Sequence, residues 1–252
     1  MAFLAKSRIR SRVQNALQKG LTKAYENVKV DPQNYLQKLQ LAHGLPIKSF
    51  RDVHSVPLQT IDDIAAQTVR AGTKVAIVEG AGLGIGGFLT VVPDLSLLAG
   101  ITMRTIQKLS LLYGFEYNTD EEIADLWVAV ASAAGIDITR DLVERHLINK
   151  FVPRVIQSIA VQASKEAAEK WAARAIPVLS AVIGAGLNYF FVRAWGRRAA
   201  SHFREKHIRV RQMMVAGSDP ISVTLLSVVL QVVYVQPNEW HFQSIYSRIT
   251  GG

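Results

Sequence analysis

Glu79 and Asp94 are the only charged side chains between Lys74 and Arg104. Two carboxylates within reach of one another can divide acid and base work between them. In so apolar a stretch each needs a partner or a shifted pKa, because an isolated buried charge is costly. No catalytic residue is assigned outright; Glu79 and Asp94 are the candidates. A plainer role also fits both. Asp94 follows Pro93 and complements the positive end of a helix, and Glu79 pairs with a nearby Lys or Arg. Other chemistries find less. His43, His54, His146, His202, His207 and His241 make no H-E-x-x-H, and the chain has no cysteine, so no metal site is expected. His202 and His207, five apart, share no helix face and read as basic-surface residues. Neither a G-x-S-x-G elbow nor a G-x-x-x-x-G-K-[ST] loop is present.

The same stretch holds five glycines between positions 80 and 87. A run this rich in glycine either turns sharply or lets another backbone come close. Gly82, Gly84 and Gly87 spell G-x-G-x-x-G after KVAIV, and the string resembles the opening of a short-chain dehydrogenase. That resemblance implies a strand, a pyrophosphate-binding turn and a nicotinamide cofactor. The surroundings argue against it. Pro93 interrupts the expected helix, no acidic residue closes a second strand, and strands do not alternate with helices. The competing reading is helical. Gly80 and Gly84, like Gly82 and Gly86, are spaced i,i+4, which lines small residues on one helix face for close packing. Pro93 then sits in the first turn of a second helix, joined to the first near 90–93 in a glycine-rich hairpin.

Apolar residues make up 49% of the 252 positions and charged residues 19%, at the apolar edge of ordinary composition. The net charge of +9 is concentrated. Residues 1–30 hold seven Lys or Arg against one acid, and residues 192–211 hold seven against one. Basic segments beside apolar ones suit anionic lipid headgroups. Nucleic acid is not expected as a partner, because no finger, RNP or basic-zipper pattern accompanies the charge.

Helical signals recur along the chain. Residues 5–28 carry Ile9, Val13, Leu17, Leu21 and Ala24 as an apolar stripe, fitting a helix that packs on the core or lies in a membrane interface. Asp31-Pro32 caps a helix ending at Gly44, and residues 44–59 read as a loop. Thr60 with Asp63 resembles a capping box for a helix entering the glycine stretch; Thr119 with Glu122 resembles another, for a helix stopped by Gly135. Further helices fit 139–150 and the stretch from Pro153 to before Pro177. Residues 175–192 form a second charge-free run with Gly184 and Gly186, repeating GAGL. It leads into Arg193, Arg197, Arg198, Arg204, Lys206, Arg209 and Arg211. Beyond 216 the chain turns β-branched and apolar, and its structure is left open.

Glu79, Gly80, Gly82 and Gly84, then Pro93-Asp94-Leu95, then Leu112-Tyr113-Gly114-Phe115, then Pro177 and GAGLNYFFVR with its basic sequel, occur in an order that resembles the EcsC family of bacterial proteins. The likeness covers roughly 45–210. It implies an all-α, membrane-linked protein, possible company with an ABC transporter encoded in the family's founding operon, and no particular reaction. The expectation is one all-α bundle of about seven helices around two glycine-rich apolar helices. A basic amphipathic helix at 1–30 precedes the EcsC-like domain at 31–215, and an apolar tail follows at 216–252. The expected function is a membrane-associated accessory or binding protein. It would sit on the cytoplasmic face, peripheral or partly inserted at the inner face of the cell membrane. Its partner would be an anionic membrane surface or a membrane protein complex. Arg197, Arg198, Arg204 and Arg209 are the lipid-binding candidates, and no cofactor is expected. Two other readings stand beside it: an enzyme on a lipid or apolar substrate through Glu79 and Asp94, and an NAD(P)-dependent oxidoreductase.

Gly80, Gly82, Gly84, Gly184 and Gly186 are the expected helix-packing positions. Gly84→Leu and Gly184→Leu should each lower the thermal midpoint, by about 1–3 kcal/mol of overpacking. Unchanged midpoints in both variants would remove these glycines from the packing.

Overall fold

The computed structural model describes residues 2–83, 91–136, 138, 148–172 and 180–216; within these, side chains are described for 10–11, 13–78, 97–136, 138, 148–165 and 191–215. Gly84, the expected helical residues 139–147 and the tail from 217 lie outside the described residues. The chain divides into two compact units, Met1–His207 and Ile208–Gly252. Of the second, the described part is the end of the last helix.

Among the described residues there is no strand. The α-helices are α1 (Ala2–Asn27), α2 (Pro32–His43), α3 (Leu58–Leu83), α4 (Val91–Leu112), α5 (Asp120–Ala133), α6 (Ile148–Ala172) and α7 (Ser180–Ala216), with a 3-10 helix at Phe50–Ser55. The dehydrogenase reading falls here. KVAIV lies inside α3, and Gly82 sits in that helix's last turn rather than at the end of a strand.

Local chemistry sets most helix ends. Asp31 accepts from the N–H groups of Gln33 and Asn34 at 2.9 and 3.2 Å, and Pro32 opens α2. Gly44 ends it with φ 63°, in the left-handed region. Thr119 and Glu122 form the reciprocal box that starts α5. Gly114, at φ 90°, ends α4 in a Schellman arrangement. The N–H of Phe115 donates to Ser110 O at 2.9 Å, and that of Gly114 to Leu111 O at 3.0 Å.

Three expectations need correction. The 44–59 loop contains the 3-10 helix, started by Ser49 and Asp52. Thr60 does not cap α3: its N–H already donates to Pro57 O at 3.0 Å, as Ile61 does at 3.3 Å. The helix begins a turn earlier because Pro57 supplies the first carbonyl. Pro153 does not start α6 but lies inside it. A proline there forgoes one helical hydrogen bond, but Phe151, Val152, Val155 and Ile156 are buried on either side of it and hold the helix through.

The core of the first unit forms around α4, which packs on α1 and α3 and also meets α2, α5 and the 3-10 helix; α6 packs on α1 and α5. The α1 stripe, Val13, Leu17, Leu21 and Ala24, is buried in this core. From Val13 onward α1 is therefore a core helix, and its apolar face is not offered to a membrane. Gln107 of α4 is buried and ties down the α1–α2 link: its Nε2 donates to Val28 O at 2.8 Å, and its Oε1 accepts from Val30 N–H at 3.0 Å.

Two glycines that the sequence did not single out mark close helix contacts. A Cβ on Gly72 would press into the Thr105 hydroxyl of α4 and lie 3.4 Å from Val192 of α7. A Cβ on Gly196 would lie 3.1 Å from Val69 of α3. Alanine in place of a helical glycine ordinarily gains about 0.5–1 kcal/mol. Gly72→Ala should nevertheless destabilise the fold by about 1 kcal/mol or more in urea unfolding, because overpacking outweighs that gain. Thr105→Ala in the same chain should recover part of the loss. A neutral Gly72→Ala would mean the two helices separate without cost.

Candidate functional site

Several sequence candidates fall where only backbone is described. Glu79 is in α3 and Asp94 in α4, Gly80 and Gly82 end α3, and Gly184 and Gly186 open α7; the side chains of Glu79 and Asp94 lie outside the described residues. The basic segment is described, and it does not act as one patch. Arg198 Nη1 donates to Ala133 O, 3.1 Å away at the end of α5. Arg204 Nε donates to Asp62 Oδ2 at 2.9 Å, while the Tyr113 hydroxyl donates to Asp62 Oδ1 at 2.9 Å. Lys206 Nζ lies 2.6 Å from Asp125 Oδ2 and 4.3 Å above the Phe115 ring. Arg193, Arg197 and Arg209 are exposed. Half of the expected lipid-binding set, Arg198 and Arg204, is thus engaged within the first unit.

His207 is not a surface residue. It is fully buried, its Nδ1 lies 2.8 Å from Tyr113 O, and its ring stacks on His54 with centroids 4.5 Å apart. A carbonyl only accepts, so Nδ1 carries the proton. The signal was in the sequence. Val192, Trp195, Ala199, Phe203 and His207 repeat at i+3/i+4, and the apolar stripe runs on into the basic segment. Gly114 completes the cluster, for a Cβ there would lie 2.8 Å from His54 Nε2 and 3.0 Å from Phe50 O. Burial, with Asp62 beside it, pushes the Tyr113 hydroxyl well above its ordinary pKa, so it stays a neutral donor. The Leu112-Tyr113-Gly114-Phe115 motif is a joint between α3, α4, α7 and the 3-10 helix. The Tyr113 hydroxyl is spent on Asp62 and its carbonyl on His207, contacts that latch these elements together.

A cleft of about 820 Å³ opens elsewhere in the same unit, between α1, α2, α3 and α4. Lys23 of α1, Lys38 of α2, and Arg104 and Lys108 of α4 line it, and no acidic side chain does so among the described residues. Ala24, Val28, Leu39, Val75, Leu97 and Ile101 supply an apolar lining. Gly20, Gly72 and Gly100 also line it. Tyr35 is buried within it, hydrogen-bonded to Thr68, and burial pushes its hydroxyl up to about 12. Lys108 is half-buried; burial first, then the neighbouring Lys38 and Arg104, hold its ammonium below the ordinary lysine value. At the rim Val75 and Leu97 are exposed, as is Val78 farther along α3.

Cations gathered over an apolar lining without a counter-charge form a place for an anion that carries apolar bulk. The sequence hid this site because each of three helices supplies its own cation and only packing brings them together. Among the described residues no three His, Asp or Glu side chains converge as a metal would require, and no helix is long and apolar enough to cross a membrane.

The model of the EcsC protein family matches residues 3–208. Protein EcsC of Bacillus subtilis (strain 168) is 28% identical over 126 residues, covering 48% of this chain and 53% of that protein. Uncharacterized protein YdbA of the same organism is 31% identical over 75 residues, covering 30% of this chain and 28% of that protein. The chain thus spans about half the length, or less, of these curated relatives. No solved structure matches. The match begins in α1 and ends just beyond the buried His207, taking in the cleft and the latch together; the chain belongs to the EcsC protein family.

Proposed function

We propose that this chain is a membrane-associated binding protein of the cytoplasmic face that recognises anionic lipid through the cleft between α1, α2, α3 and α4. The observation that carries this reading is the group of Lys23, Lys38, Arg104 and Lys108 around an apolar lining, beside exposed Val75, Val78 and Leu97. Near an anionic leaflet each accessible basic residue contributes about 1 kcal/mol, and salt screens that attraction. Apolar rim residues add about 25 cal/mol for each Å² they withdraw from water. Together these hold a protein at a surface without a spanning helix. An accessory role beside a membrane protein complex, of the ABC-transporter kind that the family resemblance implies, fits such a surface-held chain.

Co-sedimentation with lipid vesicles tests the reading. The purified chain should bind vesicles containing phosphatidylglycerol, bind purely zwitterionic ones weakly, and release as salt rises. Replacing Lys38 and Arg104 by Gln should weaken the binding. Arg197→Gln should leave stability within about 0.5 kcal/mol. Arg204→Gln should lower the unfolding midpoint by removing the charged partner of Asp62 and leaving it the Tyr113 hydroxyl alone, while vesicle binding by the folded fraction persists. A wild-type chain indifferent to anionic vesicles at low salt would end the proposal.

A further inference from the structure

We infer that the cleft admits one anionic amphiphile whole, a phosphate-class headgroup among Lys38, Arg104 and Lys108 with its hydrocarbon chain along the apolar wall. This rests on the lipid-binding reading of the same site and goes beyond adhesion to a surface. A flat bilayer meets cations that project outward. Here Lys23, Lys38 and Arg104 are exposed at the opening, but Lys108 is half-buried and Tyr35 is buried. A headgroup reaches those two only by entering. The volume, about 820 Å³, lies within the range of sites that enclose a whole small ligand.

The lining also selects the ligand's class. Four cations without an acid favour a group carrying more than one negative charge, which a phosphomonoester supplies. Val75, Leu97 and Ile101 are aliphatic, and apart from Tyr35 the lining has no aromatic ring among the described residues but the His43 imidazole. A nucleobase would seek stacking partners; an alkyl chain needs only apolar surface.

Lys108 gives the site a measurable linkage. Its folded-state pKa is depressed, so the charged ammonium costs stability below that pKa, and the cost vanishes as pH passes the ordinary lysine value. A bound phosphate reverses the balance and raises the Lys108 pKa. Binding must then take up protons at alkaline pH, and affinity must fall as Lys108 of the free chain deprotonates.

Calorimetric titration of the full chain with dodecyl phosphate, kept below its micelle concentration, tests the inference. One molecule should bind per chain, at least about tenfold tighter than inorganic phosphate, with proton uptake at alkaline pH. Lys108→Met should weaken it about tenfold or more, the scale of one charge-assisted hydrogen bond. The ligand-free thermal midpoint should not fall in that variant, because a disfavoured charge has been removed. If Lys108→Met does not fold, Arg104→Gln carries the same test. Ala71→Trp, which fills the cleft from α3, should abolish binding of the monomer. Inorganic phosphate binding as tightly as dodecyl phosphate would overturn the amphiphile and leave a plain anion site. Binding unchanged by Ala71→Trp would overturn the cleft as its location. Adsorption to anionic vesicles without binding of the monomer would sink this inference alone; failure of both would remove the lipid reading as well.

Discussion

Helix α4 has neighbours on nearly every side, and that enclosure governs the first unit. A buried helix carrying polar side chains must satisfy each one locally, because water is not there to do it. The Thr105 hydroxyl donates to Ile101 O, Gln107 holds the backbone of Val28 and Val30, and the Ser110 hydroxyl donates to Phe115 O. Tyr113 holds Asp62 through its hydroxyl and receives His207 at its carbonyl. Apart from the Thr105 bond, which closes within α4, each fixes a different neighbour, so α4 and the turn that ends it act as the common reference for the α1–α2 link, α3, α7 and the segment that follows. Arg104 and Lys108 stand on this helix, and their charged ends must escape on the one side left open. The cleft follows from packing three helices, α1, α2 and α3, against a core helix that also bears two cations.

Two clusters of ionisable groups in this unit have opposite character. At the end of α4, Asp62 sits between a tyrosine and an arginine, and Lys206 has both Asp125 and the Phe115 ring. Charges there are matched, and the cluster joins helices. In the cleft, cations face one another with no acid among the described residues of the lining. Such repulsion weakens a fold, and sites whose groups work against stability are often the ones that bind. The comparison separates cations that join helices from cations gathered around the cleft more sharply than net charge does. The basic segment at 192–211 is the denser in sequence, but Lys23, Lys38, Arg104 and Lys108 share a space that no acidic side chain lines among the described residues.

The all-α class and several helix ends were legible because they depend on neighbours in the chain. Asp31-Pro32, Thr119 with Glu122, Gly44 and Gly135 act over a few residues, and their chemistry is written in order. Thr60 misled because a capping pattern carries no knowledge of Pro57 three residues earlier. Pro153 misled because burial on both sides of it outweighs one lost hydrogen bond. Gly72 and Gly196 were invisible for another reason: nothing local marks which helical glycine will meet a threonine or valine of a distant helix. The cleft was illegible in the same way, its lining drawn from α1 through α4. His207 stands between these cases, since its stripe was present but its charged neighbours disguised it.

The cleft's cations stand on separate walls, and this has a mechanical consequence. Lys38 belongs to the short α2, whereas Arg104 and Lys108 belong to the long, enclosed α4. Their mutual repulsion acts across the opening as a spring, bearing outward on the shorter wall. A dianion seated between them becomes a cross-link, turning the outward force into tension that draws α2 in. On the proposed mode of binding the loaded chain would be the stiffer one, with the backbone amides of α2 exchanging more slowly with solvent once the opening is bridged.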